Sequence, residues 1–72
     1  MPVDPCGCWK TPEALDRALI ADSMLEENGA IANYRQYAAA TTNPLVRDLF
    51  LHIVKEEEQH WIELRAMLER LQ

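Results

Sequence analysis

The sequence predicts an all-α protein: an antiparallel hairpin of two long helices that dimerises into a four-helix bundle. Three observations carry this. Two stretches hold apolar residues at helical spacing, Ile20, Met24, Ile31, Tyr34 and Ala38 in the first and Val46, Phe50, Ile53, Leu64, Met67 and Leu71 in the second. Each stretch opens with a capping residue followed by proline, and a short connector separates them. The apolar faces are also wider than one helix–helix contact can cover, because Leu15, Leu19, Leu25, Leu49, Val54, Trp61 and Leu68 extend them sideways. A second hairpin is the simplest cover for that surface. No stretch carries a strand pattern.

Residues 1–10, with two prolines and a glycine, read as an irregular arm, and 11–72 as the helical hairpin. Thr11-Pro12-Glu13 is a helix start: threonine as N-cap, proline at the first helical position, an acid in the first turn. The first helix runs to about Ala39. Gly29 lies inside it, costing about 1 kcal/mol against alanine and leaving room for a close helix approach. Ala40-Thr41-Thr42-Asn43 is the connector, and Asn43-Pro44 restarts a helix by the same logic. The second helix runs to about Arg70 with no internal glycine or proline. Two helices so closely joined lie antiparallel.

Seventy-two residues make one small domain, with little surface to bury as a monomer. A net charge of −5 argues against nucleic acid and against anionic membranes as partners, and suits a protein that attracts cations. No apolar run approaches the roughly 20 residues needed to span a bilayer. The N-terminus lacks the charged start and apolar run of a signal peptide, so a cytoplasmic location is expected.

Both apolar stripes are broken by polar residues. Glu27 interrupts the first. Glu57 and His60, one turn apart in Glu-x-x-His, interrupt the second. With the hairpin folded between Thr41 and Thr42, Glu27 faces position 56, so the breaks fall at one level. Burying an unpaired carboxylate is expensive, and a bound cation offsets that cost. Glu plus Glu-x-x-His is also the ligand set of di-iron carboxylate bundles. A two-fold axis near Glu27 would gather two Glu27, two Glu57 and two His60, which makes four carboxylates and two imidazoles. The bland alternative is a solvated acidic face, helped by Glu56 and Glu58.

The remaining candidates are weaker. Glu56, Glu58 and Glu63 fall off the stripe and read as solubility and ion pairing with Arg35, Lys55 and Arg65. Glu26 sits close enough to Glu27 to help guide cations. Tyr34, two turns from Glu27 on its face, is either core or a hydrogen-bond donor to a ligand. His52 reads as surface and Trp61 as packing. Cys6 and Cys8, spaced Cys-x-Cys, are too few for a disulfide framework, and a bridge between them would close a strained ring. They offer half a zinc site or a pair of redox thiols.

Taken together, Glu26-Glu27, Tyr34 and Glu57-x-x-His60 resemble the ferritin-like superfamily, and most closely the encapsulated ferritins, over roughly Leu15 to Leu68. That family builds a ferritin-like four-helix bundle by pairing helical hairpins. The resemblance implies that Glu27, Glu57 and His60 ligate iron at the dimer interface, with Glu26 and Tyr34 beside it. It further implies a homodimer or higher homo-oligomer held as cargo in an encapsulin shell, a protein nanocompartment. Two departures stand out. Gly29 and Asn33 replace the residues expected at a secondary metal site. The sequence runs to Gln72, directly after the second helix, without that family's C-terminal helix and targeting tail, so the expectation of encapsulation stays open.

The expected function is that of a ferroxidase, oxidising Fe²⁺ at a di-iron site shared by two subunits, with iron as the cofactor and manganese or zinc as alternatives. Two other readings stand beside it. One is a rubrerythrin-like peroxide reductase that uses Cys6 and Cys8 to carry electrons. The other is a non-enzymatic metal-binding or helical dimerisation module, in which the polar residues set register.

Overall fold

The computed structural model describes residues 11–72, which form two antiparallel helices, α1 (Pro12–Ala40) and α2 (Pro44–Arg70). The arm at 1–10, with Cys6 and Cys8, lies outside the described residues. Each helix starts where its capping chemistry places it. Thr11 Oγ1 accepts the Ala14 N–H at 3.1 Å, and Glu13 complements the positive end of the helix dipole. Asn43 Oδ1 accepts the N–H groups of Leu45 at 2.9 Å and Val46 at 3.4 Å. Pro12 and Pro44 occupy the first turn, where the missing N–H has no intrahelical role.

α1 runs one residue past the expected end, and the connector is Thr41–Asn43. The chain is held through this turn by the Thr41 N–H donating to the Tyr37 carbonyl at 3.1 Å, and by Thr41 Oγ1 accepting the Asn43 N–H at 3.1 Å. The register stays close to that expected from the hairpin's midpoint. Tyr34 stacks on Phe50 with ring centroids 5.9 Å apart, one residue from the position it was expected to face. Gly29 looks away from α2, since a Cβ there would meet nothing within 4 Å.

The described residues measure 49 × 24 × 13 Å. The shortest dimension is about one helix diameter, so the hairpin is a single layer. One layer cannot enclose a core. Among the described residues only Ile31, Ala38 and Val54 are buried, at 9%, 4% and 4% exposure, and no large side chain is fully enclosed.

The second helix presents its face differently from the expected stripe. Val46, Phe50, Ile53 and Leu64 are half-buried as expected, but His60 and Met67 are exposed. Val54, expected at the flank, is buried, and Trp61 and Leu68 are half-buried. The seam on α2 therefore continues from Glu57 to Trp61, four residues on, and His60 stands at its rim. Leu15 is likewise half-buried, whereas Leu19, Leu25 and Leu49 are exposed.

The two long sides of the hairpin differ. At 100° per residue, Leu19, Ser23, Ala30 and Tyr37 of α1 flank the seam on one side, with Leu49, Ile53, His60, Leu64 and Met67 of α2. Leu19, Tyr37, Leu49 and Met67 are all exposed there. The other side carries an exposed ion pair between Arg35 and Glu58 at 3.4 Å, with Leu51 and Ile62 also exposed beside it. Asn28, Ile31, Arg35, Glu58, Trp61 and Ile62 line a shallow groove on it. No helix among the described residues is long and apolar enough to cross a membrane.

Candidate metal centre

Glu27, Glu57 and His60 converge halfway along the seam. One potential ligand atom from each lies within 4.8 Å of the others, and no other such group of three occurs among the described residues. Their positions follow from the elements that carry them. Glu27 and Glu57 take seam positions on α1 and α2, so the hairpin brings them face to face. His60, one turn beyond Glu57, leans over the rim toward the apolar side.

The burial is graded. The Glu27 side chain is 22% exposed and that of His60 is 52% exposed, with His60 Nδ1 3.9 Å from Glu27 Oε2. That distance is too long for a hydrogen bond, and the contact is an ion pair only when the imidazole is protonated. Glu27 Oε2 is enclosed and has no hydrogen-bond partner. Two facing carboxylates cannot satisfy one another when both are ionised, because each only accepts.

Glu27 consequently titrates above its ordinary value of 4.5. The largest cause is the facing Glu57 side chain, to which a protonated Glu27 carboxyl can donate. Burial and the negative charge of Glu57 push in the same direction, His60 opposes them, and Glu26 adds a small upward push. A carboxyl raised in the folded state makes its stabilising contribution at low pH and loses it as pH rises through the folded value. The contribution of Glu27 to the stability of the metal-free protein is therefore expected to fall as pH rises above the ordinary carboxylate range, and Glu27→Gln should flatten that slope. Circular dichroism melts across the range check it; a metal-free slope that Glu27→Gln leaves unchanged would assign the pH dependence to other groups.

The donor set fits a metal. Bonds of roughly 2.0–2.2 Å place two ligands of one ion no more than about 4.4 Å apart. Donors within 4.8 Å of one another reach that by small side-chain rotations. Two carboxylates and an imidazole suit iron, manganese or zinc.

The other candidates divide. Tyr34 packs in an aromatic cluster, its ring 6.0 Å from Tyr37 and 5.9 Å from Phe50, with Tyr37 5.5 Å from Phe50. Glu26 is exposed and reaches the centre only through its charge on Glu27. Of the expected ion pairs, Arg35 takes Glu58, whereas Arg65 pairs with Glu69 at 3.1 Å, and Glu56 pairs with His52 at 2.8 Å. His52 is exposed, as its place off the stripe implied. The sequence reading missed one feature, the enclosed indole N–H of Trp61 one turn beyond Glu57. Its spacing from Glu57 was the available signal.

Fold and site together define a helical hairpin carrying a carboxylate–imidazole cluster at the rim of its seam. No family model, curated protein or solved structure matches this chain.

Proposed function

We propose that the protein is an iron-oxidising member of the ferritin-like superfamily, binding Fe²⁺ between two copies of the chain. The observation that carries this reading is the meeting of Glu27, Glu57 and His60 within 4.8 Å, beside an exposed apolar side. Each chain offers three donors, half of the set that a pair of irons takes in a four-helix bundle. A second copy laid on the apolar side supplies the other half, and covers Leu19, Tyr37, Leu49 and Met67.

In this reading iron is the substrate and the chain positions it. Glu27 and Glu57 bring negative charge into a poorly solvated layer, where it attracts Fe²⁺ and stabilises the ferric product more strongly than the ferrous form. His60 supplies a neutral nitrogen donor at the rim. Each Fe²⁺ gives up one electron. A pair therefore reduces dioxygen, with two protons, to hydrogen peroxide, or reduces peroxide, with two protons, to two waters. The bundle around the site limits water access and holds the pair at fixed separation. A hairpin pair encloses no cavity for mineral, so storage would fall to a surrounding shell of encapsulin type.

The test is metal content and turnover on one preparation. Anaerobic titration with Fe²⁺ should saturate at about two irons per pair of chains, and admitting oxygen should oxidise them faster than free Fe²⁺. Protein that binds iron without accelerating its oxidation is a metal-binding module. Protein that binds none leaves Glu27, Glu57 and His60 as a polar network that sets register.

The cysteine arm is expected to be dispensable for iron oxidation, since Glu27, Glu57 and His60 all come from the two helices. Cys6→Ser with Cys8→Ser should oxidise Fe²⁺ at the parental rate. Loss of the rate with helicity retained would favour the peroxide-reductase reading, in which the thiols carry electrons.

A further inference from the structure

Among the described residues, two side-chain polar atoms are enclosed without a hydrogen-bond partner: Glu27 Oε2 and Trp61 Nε1. They are of opposite kind. An ionised carboxylate only accepts, and an indole N–H only donates. They sit on facing helices, one turn apart along the seam. Trp61 follows Glu57 by one turn of α2, and Glu57 faces Glu27 across the seam. Trp61 shares a groove wall with Asn28, the residue after Glu27, and with Ile31, one turn beyond it.

Packing alone explains the Trp61 ring, which is half-buried and carries the Arg65 guanidinium 5.6 Å from its centroid. It does not explain an enclosed donor with no acceptor, a feature that destabilises a fold unless something answers it. An unmatched donor and an unmatched acceptor on facing helices, one turn apart, can answer each other once the two side chains turn toward one another. The last torsion of a glutamate is broad and two-fold, so the turn is easy.

We propose that Trp61 is a positioning residue for the metal centre, its indole N–H donating to the Glu27 carboxylate oxygen that a bound cation leaves free. This rests on the metal-binding reading above and adds the group that orients its ligand. The division of labour follows from geometry. His60 and the apolar side lie in front of the two carboxylates, whereas the Trp61 ring lines the groove behind them. An indole has no lone pair to offer a metal, so it holds the ligand without competing for the ion. Partners of this kind fix ligand orientation and sustain metal affinity.

The experiment uses Zn²⁺, which binds the same donors without redox chemistry. Trp9 and Trp61 are the two tryptophans of the chain, so Trp9→Phe leaves a single indole N–H to follow by NMR. Zn²⁺ is expected to move that resonance downfield and slow its exchange with solvent, and Glu27→Ala should abolish both responses. Trp61→Phe should keep the helices and weaken Zn²⁺ binding about 10–100-fold. A wild-type protein that binds Zn²⁺ with the indole resonance unmoved overturns the positioning role and leaves the metal centre standing. Trp61→Phe binding Zn²⁺ with parental affinity does the same. Wild-type protein that binds neither Zn²⁺ nor Fe²⁺ overturns both readings. If Trp61→Phe fails to fold, the NMR response of the Trp61-containing protein still decides.

Discussion

Replacing Glu57 with alanine is expected to abolish iron binding and oxidation while leaving the metal-free protein as stable as its parent, or more so. The reason is that the metal-bound and metal-free states use this carboxylate in opposite ways. In the proposed metal-bound pair, Glu57 would be one of three donors per chain, so the substitution would remove two of six. That loss should exceed the roughly 10–100-fold penalty of removing an outer hydrogen-bond partner. Without metal, Glu57 faces Glu27 across a poorly solvated seam and raises its titration, both by sharing a proton and by its charge. Removing Glu57 relieves that repulsion, and the space left opens toward the exposed rim rather than into a sealed cavity. His60→Ala should also lose iron oxidation but gain no stability, because His60 opposes the upward push on Glu27 rather than adding to it. The measurements are Fe²⁺ oxidation rate and thermal midpoint, each with and without metal. Wild-type turnover in Glu57→Ala would sink the assignment of the site. A much less stable metal-free Glu57→Ala would make the residue a structural partner.

If two copies pair as proposed, Leu49→Asp is expected to weaken that association and leave a weakly folded monomer. A single layer of two helices with three buried side chains has too little core to stand alone. Leu49 is 55% exposed in the lone hairpin and lies on the His60 side. An aspartate there costs the hairpin little, but between two copies it is a buried, unpaired charge. A two-fold interface presents every substitution twice. At several kcal/mol per buried charge, association should weaken roughly a thousandfold or more. Ile62→Asp is the control: Ile62 is equally exposed, at 55%, but lines the groove on the opposite side. Sedimentation across a dilution series reads both. Equal loss of association in the two variants would mean the wrong side has been chosen. A stable monomeric parent would remove the shared-site model altogether.

What the sequence determined by itself is the local structure. Thr11-Pro12 and Asn43-Pro44 start the helices where the caps place them, because a capping side chain and the N–H groups it satisfies lie within three residues of one another. The antiparallel pairing followed from a connector too short for any other arrangement. The meeting of Glu27 with Glu57 was legible too, because an antiparallel hairpin maps one helix onto the other by counting outward from its turn.

The tertiary structure decided which face of α2 meets α1, and what lies on either side of the seam. Residues three apart on a helix point about 60° from one another, so a seam can follow i+3 or i+4 steps with similar apolar content. Counting took the step from Glu57 to His60 and then to Met67. The packed hairpin takes the step to Trp61 and then to Leu68, leaving His60 at the rim. Helix periodicity alone does not distinguish the two paths, because both carry large apolar side chains; the packing of α2 against Ile31 and Ala38 does. The same rotation places His60 on the exposed apolar side and the Trp61 ring on the opposite groove. Two enclosed atoms, one on each helix, thus come to lie one turn apart along the seam.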